Sequence, residues 1–229
     1  MTIKAIALDF DNCIALNYET RMGSEEIKDE AWFKIFPEYD RGALEPVLEK
    51  VKKEIAGGKG DRKDIVKRVC EHFGISETKI QDEVIKRCDG FNRVVQEGIA
   101  RLGISPQTAE DLATLSKKIP LFVNTATPRE GALESLDALG VRHYFKEVYG
   151  RPGTKINNLK DIISSEAIAP YELLFVDDQE SGYNAAREVY CSFVGIHTAR
   201  NKAWHDVMKL PFPLIFYLRE LLPLTRNFR

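Results

Sequence analysis

I-K-A-I-A-L-D-F-D, residues 3 to 11, is an apolar run that stops on two carboxylates, Asp9 and Asp11. Apolar apart from Lys4, this stretch predicts a buried strand, Ile3 to Leu8. Two acids at its end predict chemistry there. One carboxylate can attack phosphorus while its neighbour handles the proton, provided both sit on a rigid element and share a divalent cation. In a chain with 35 acidic residues a lone D-x-D pair carries little weight. Its meaning depends on what stands at the other strand ends.

From about Asn17 to Gln96 the text is helical and highly charged. Apolar residues recur at three- and four-residue spacing over Glu25–Phe36, Gly42–Ile55, Arg62–Phe73 and Glu77–Val95. Gly57, Gly58, Lys59, Gly60 and Asp61 punctuate the middle as a turn, and Gly74 closes the third helix. After Gly103 strands and helices alternate with short connections. The expected order is helix Thr108–Lys117, strand Pro120–Asn124, helix Arg129–Leu139, strand Phe145–Tyr149 and helix Ile156–Ser164. Strand Glu172–Val176, helix Ser181–Tyr190 and strand Ser192–His197 complete it. This alternation predicts an α/β fold, a doubly wound parallel sheet of Rossmann-like type. The helical block reads as an insertion: residues 1–16 and 98–229 form the core, 17–97 the inserted domain.

Ligands in such sheets bind beyond the carboxyl ends of the strands. Those ends carry Asp9 and Asp11, then Thr125 in V-N-T-A-T-P-R-E, then Lys155 in G-R-P-G-T-K, then Asp177 and Asp178 in F-V-D-D-Q-E-S-G. An acid pair, a hydroxyl, a lysine and a second acid pair make a phosphate-and-metal constellation. A receiver domain of a response regulator also uses acids, a threonine and a lysine, but its acids all precede the hydroxyl. Here an acid pair follows the lysine.

In this order the four segments resemble the motifs of the haloacid dehalogenase superfamily of phosphotransferases. The helical insertion resembles the small α-helical cap of its β-phosphoglucomutase and phosphoglycolate phosphatase types. The resemblance implies Asp9 as nucleophile and Asp11 as general acid/base, with the main-chain carbonyl of Asp11 on the metal. Thr125 and the N–H groups around Ala126 would hold the phosphoryl oxygens, and Lys155 would neutralise charge. Mg²⁺ would be held by Asp9, Asp11 and Asp178, with Asp177 acting directly or through water. The family's dehalogenases lack the second aspartate, so Asp11 favours phosphate chemistry. The plain structural alternatives are a helix cap for Thr125, a solvated surface residue for Lys155 and turn acids for the aspartates.

Departures from the pattern are informative. Asn12 stands where a glycine is usual, and asparagine tolerates a left-handed backbone. Cys13 reads as a packing residue, or else as a redox-sensitive thiol. Gly182 occupies a place where related forms often carry a further aspartate. The resemblance places a substrate-specificity loop at Gly57 to Arg62, where Gly58, Lys59 and Arg62 would meet the leaving group; a solvated turn is the alternative. Trp32, Phe33 and Phe36 read as the core of the insertion. Cap closure would exclude bulk water.

The expected function is Mg²⁺-dependent hydrolysis of a small phosphorylated metabolite through an aspartyl-phosphate. A phosphomutase and a non-catalytic binding protein are the alternatives. A formal net charge of −2 offers no nucleic-acid footprint. Cys13, Cys70, Cys88 and Cys191 lack C-x-x-C spacing and read as reduced thiols of a cytoplasmic protein. The N-terminal run, interrupted by acids, does not read as a signal peptide. The apolar stretch Pro211–Leu224 is too short and interrupted to span a membrane. It reads as a terminal helix on the core or a dimer contact, leaving monomer and homodimer both open.

Overall fold

The computed structural model describes residues 2–55, 60–206 and 209–224. Contacts divide the chain into two compact units, Met1–Glu25 with Ile99–Arg229, and Glu26–Gly98. Asn17–Glu25 belongs with the first unit, further along than the expected boundary at residue 16. The reason is local: Leu16 bridges Gly23, and Ser24 Oγ donates to Asp11 Oδ1 at 2.6 Å.

The first unit is a six-stranded, wholly parallel sheet. Its strands are β1 (Ala5–Leu8), β2 (Leu121–Pro128), β3 (Glu147–Arg151), β4 (Leu173–Asp177), β5 (Ser192–Ile196) and β6 (Leu214–Ile215). They lie in the order β3-β2-β1-β4-β5-β6. The chain winds outward from β1 through β2 to β3, then returns to β4 on the other side of β1. The end of β1 is therefore the topological switch point, where such sheets bind ligands. Every residue of β1 is buried, as parallel strands covered on both faces require. Ala5 and Ala7 pack with Phe122, Phe175 and Phe193 against Leu159 and Ile162 of α7 (Lys155–Ser165) and Ala185, Ala186 and Val189 of α8 (Glu180–Val189). Among the described residues this unit also holds the α-helices α5 (Pro106–Ser116), α6 (Arg129–Ala138) and the single turn α9 (Leu221–Leu224).

The second unit is helical. It holds most of α1 (Ser24–Lys34) and α4 (Glu77–Leu102), with α2 (Arg41–Ile55) and α3 (Arg62–His72) between them. Trp32 and Phe36 are buried in it, Trp32 against Phe91 with ring centroids 4.7 Å apart. Arg87 is almost wholly buried and is satisfied by Glu38 at 2.5 Å, Glu83 at 2.9 Å and the ring of Phe36. Helix α4 runs past the expected end at Val95 to Leu102, and Gly98 within it is a packing position. A Cβ there would stand 2.4 Å from Ile27 Cγ2.

One expectation is corrected. Pro211–Leu224 does not form a terminal helix: Leu214–Ile215 adds β6 to the sheet, followed by a 3₁₀ turn at Leu218–Glu220 and the one turn α9. Pro211 and Pro213 lack the N–H a helix through this stretch would use and crowd the preceding turn. The segment is held instead by parallel pairing, with Gly195 N donating to Pro213 O and His197 N to Ile215 O. Among the described residues no helix is long and apolar enough to cross a membrane, and the four cysteines are free thiols.

Helices α6 and α7 end in the same hydrogen-bond motif, Gly140→Asp137 with Val141→Leu136, and Ala167→Ser164 with Ile168→Ile163. The motif needs a left-handed residue at its hinge, which is Gly140 (φ 70°) in one and Ala167 (φ 51°) in the other. Ala167 is exposed, so little else constrains it. Ala167→Gly is expected to stabilise the protein by about 0.5–1 kcal/mol, read as a small rise in thermal midpoint.

Candidate active site

The carboxyl end of β1 is built by a tight turn. Phe10 O accepts from the N–H groups of Cys13, Ile14 and Ala15, and Asn12 turns the chain with φ 53°. Asn12 Oδ1 then accepts from Glu25 N at 3.1 Å. Gly23 lies so close that a Cβ would be 2.2 Å from Ala15 O. The turn aims Asp9 and Asp11 at the end of the sheet, and both are buried. Cys13 is buried too, and that burial pushes its thiol pKa up, as a packing residue requires.

The end of β2 is irregular in a useful way. Asn124 pairs with Tyr149 and Pro128 with Arg151, so β2 spends four steps where β3 spends two. The excess bulges Thr125, Ala126 and Thr127 out of the ladder, a device that re-aims side chains at strand ends. Gly150 makes room, since a Cβ there would stand 2.5 Å from Thr127 O. Thr125 Oγ1 accepts from Thr127 N at 3.2 Å. It does not cap α6, whose N-terminus follows Pro128 with no side-chain cap.

These elements bring the sequence-distant residues together. Lys155 is the first residue of α7, whose N-cap is Thr154. Its Nζ lies 2.5 Å from Asp177 Oδ2 and 3.3 Å from Asp9 Oδ2. The second oxygen of Asp177 accepts from Gln179 N at 2.9 Å. Asp9, Asp177 and Asp178 present one carboxylate oxygen each within 4.8 Å of one another. The carboxylate of Asp11 stands apart from that trio. It accepts from Ser24 Oγ at 2.6 Å and from Thr127 Oγ1 at 2.8 Å. Ser24 and Thr127 are contacts that the motif reading missed. Arg62 lies in the helical unit, its guanidinium over the ring of Phe91 and donating to Asn92. Gly58 and Lys59 lie outside the described residues.

The electrostatics of the trio are unbalanced. Burial raises the pKa of Asp9 well above the ordinary carboxylate value; Lys155 opposes the shift, and Asp177, Asp11 and Asp178 add to it. Asp178 is pushed up to about 8, by burial first and Asp177 second. Burial works against the ammonium of Lys155, yet Asp9 and Asp177 outweigh it and hold its pKa above the usual lysine value. A carboxyl whose folded pKa is raised opposes folding once it ionises, a penalty that grows above about pH 4. Asp9 Oδ1 and Asp178 Oδ1 are moreover buried without a hydrogen-bond partner. Native proteins seldom leave such atoms orphaned. Two unpartnered carboxylate oxygens in an over-acidic, all-oxygen cluster fit a hard divalent cation.

Gly182, at the start of α8, belongs to the same construction. A Cβ there would stand 2.1 Å from Asp177 Oδ2, the oxygen that holds Lys155. A side chain at 182 and the observed Asp177 conformer therefore exclude each other. Gly182→Ala is expected to destabilise by about 2–3 kcal/mol and to lower any activity that depends on Lys155. Thermal melting and turnover measured on one preparation check both.

Comparison with known proteins places the chain in a family. The model of haloacid dehalogenase-like hydrolases matches residues 66–196, more than half of the chain. The chain belongs to the haloacid dehalogenase-like hydrolases. Phosphoglycolate phosphatase from Escherichia coli (strain K12) is 29% identical over 143 residues, covering 58% of this chain and 54% of that protein. The chain thus spans about half the length of the curated relatives it matches. Among solved structures, YfnB from Bacillus subtilis, crystallised bound to magnesium, superposes with a TM-score of 0.70 at 13% identity, covering 98% of this chain and 99% of that one. β-Phosphoglucomutase from Clostridium difficile superposes with a TM-score of 0.64 at 16% identity, covering 96% and 93%. At such identities these structures bear on the fold alone.

Proposed function

We propose that this protein is a Mg²⁺-dependent phosphatase that hydrolyses a small phosphorylated metabolite through an aspartyl-phosphate on Asp9. The observation that carries the reading is the pair of orphaned oxygens, Asp9 Oδ1 and Asp178 Oδ1, inside a buried acidic cluster at the switch point of the sheet. Folding alone gives no reason to bury unbalanced like charges. The similarity to phosphoglycolate phosphatase supports the same class of reaction.

In this reading a carboxylate oxygen of Asp9 bonds to phosphorus as the bond from phosphorus to the ester oxygen breaks. Asp11 gives its proton to that leaving oxygen. It then takes a proton from the water that attacks the aspartyl-phosphate, releasing inorganic phosphate and restoring Asp9. The hydroxyls of Ser24 and Thr127 hold the carboxylate of Asp11 in a defined orientation. The hydroxyl of Thr125 and the N–H groups at the Ala126 bulge are assigned to the phosphoryl oxygens. Lys155 offsets the charge of Asp9 and of the phosphate. Asp9, Asp178 and the main-chain carbonyl of Asp11 would hold Mg²⁺, which when bound supplies charge neutralisation to carboxylates and phosphoryl oxygens. Asp177 is assigned chiefly to Lys155, because its oxygens already accept from Lys155 Nζ and Gln179 N.

The test is a panel of phosphorylated sugars, short acids and nucleotides, with a generic aryl phosphate, assayed for released phosphate with and without Mg²⁺. Phosphate release that chelation abolishes and Mg²⁺ restores is expected. Isomerised sugar phosphate without free phosphate would replace the reading by a mutase, and inertness on the whole panel would sink it.

A further inference from the structure

Asn124 is a fully buried polar side chain inside the apolar run of β2, between Val123 and Thr125. Its amide is used at both ends. Nδ2 donates to the main-chain carbonyl of Lys155 at 3.0 Å, and Oδ1 accepts from Asn158 Nδ2 at 2.9 Å. Asn158, itself buried, lies one turn along α7 from Lys155. The two asparagines thus tie the first turn of α7 to the end of β2. A carbonyl at the first position of a helix has a lone pair to spare beyond its intrahelical bond, so the extra donor adds a restraint without breaking the helix.

We infer that Asn124 is a positioning residue, clamping the backbone of Lys155 so that its ammonium stays between Asp9 and Asp177. The inference rests on the reading of Lys155 as part of a phosphoryl-transfer site. Geometry supports it. A lysine has four rotatable bonds, so fixing its main chain narrows the positions open to its ammonium, which lies 2.5 Å from Asp177 and 3.3 Å from Asp9. Burial of an amide pair offers little net stability compared with apolar residues of the same shape. What the pair adds is position. Gly153 belongs to the same clamp, since a Cβ there would stand 2.2 Å from Asn158 Oδ1.

The test uses the full chain with Mg²⁺ and p-nitrophenyl phosphate. Asn124→Leu is expected to lower kcat about 10²-fold, the scale of a small misplacement, with a much smaller change in KM. Introduced into a Lys155→Ala background, the same substitution is expected to have no further effect, because residues acting as one unit are non-additive. Equal losses in both backgrounds, or no loss in either, would overturn the inference. If Asn124→Leu melts non-cooperatively, Asn124→Leu combined with Asn158→Leu removes both partners, leaves no orphaned amide and carries the test in its place. A second readout is independent of turnover: acetylation of Lys155 by acetic anhydride, located by peptide mass spectrometry. Labelling is expected to rise about 10-fold in the variant while other lysines are unchanged. Unchanged Lys155 labelling would overturn the clamp. An inactive parent enzyme with faster labelling in the variant would instead sink the phosphatase reading and leave the clamp standing.

Discussion

Asp9→Asn is expected to reduce turnover on the order of 10⁵-fold, the scale for removing a covalent nucleophile. The amide keeps the shape of the carboxylate and removes the attacking charge. Its effect on stability should run the other way. Asp9 is buried, its Oδ1 has no partner, and its ionisation is opposed by burial and by three neighbouring acids. Without metal the variant should therefore melt no lower than the parent, although it gives up the contact with Lys155. Lys155 retains its closer partner, Asp177. With Mg²⁺ the order should narrow or reverse, because the parent gains more from the ion than the variant does. Residual turnover above a few per cent, or a marked fall in metal-free stability, would contradict the assignment of Asp9.

Lys155→Met should damage both activity and fold. The side chain is 12% exposed and spans two carboxylates. Methionine preserves much of the volume and removes the charge, leaving Asp9 and Asp177 uncompensated. Breaking a buried pair from one side costs about 3–5 kcal/mol. Loss of a charge-stabilising group in a water-excluded site lowers kcat by about 10³-fold. Added Mg²⁺ should recover part of the stability, since it supplies positive charge to the same carboxylates, and much less of the activity. Equal destabilisation with and without Mg²⁺ would mean that the lysine and the cation do not share one electrostatic problem.

Much of this site could be read from the chain because each part lies where a periodic apolar run breaks. Ile3–Leu8 ends at Asp9, and the run through Phe175 and Val176 ends at Asp177 and Asp178; Lys155 opens a helix. Such breaks are local, and local pattern survives in a single sequence. What escaped depends on contacts between distant segments. Ser24 and Thr127 reach Asp11 from separate elements, and only the folded turn after β1 makes them neighbours. Thr127 left a faint signal, two residues from Thr125 and so on the same side of an extended chain. Asn124 left a clearer one, a polar residue in the apolar run L-F-V-N of a central strand, where burial demands partners. The two-residue strand β6 left none, because so short a segment becomes a strand only through the backbone of β5. Its apolar composition suggested a helix, against which Pro211 and Pro213 stand. Gly150 and Gly182 show the same limit: their need for no side chain comes from Thr127 O and Asp177 Oδ2, not from their own turns.

The most direct measurement traps the enzyme during turnover by rapid quench, reduces it with borohydride and maps the modified residue by peptide mass spectrometry. An acyl phosphate on an aspartate is reduced to homoserine, so the account predicts homoserine at position 9, dependent on substrate and Mg²⁺ and absent from Asp9→Asn. Modification at another residue, or active turnover that never labels position 9, would contradict it.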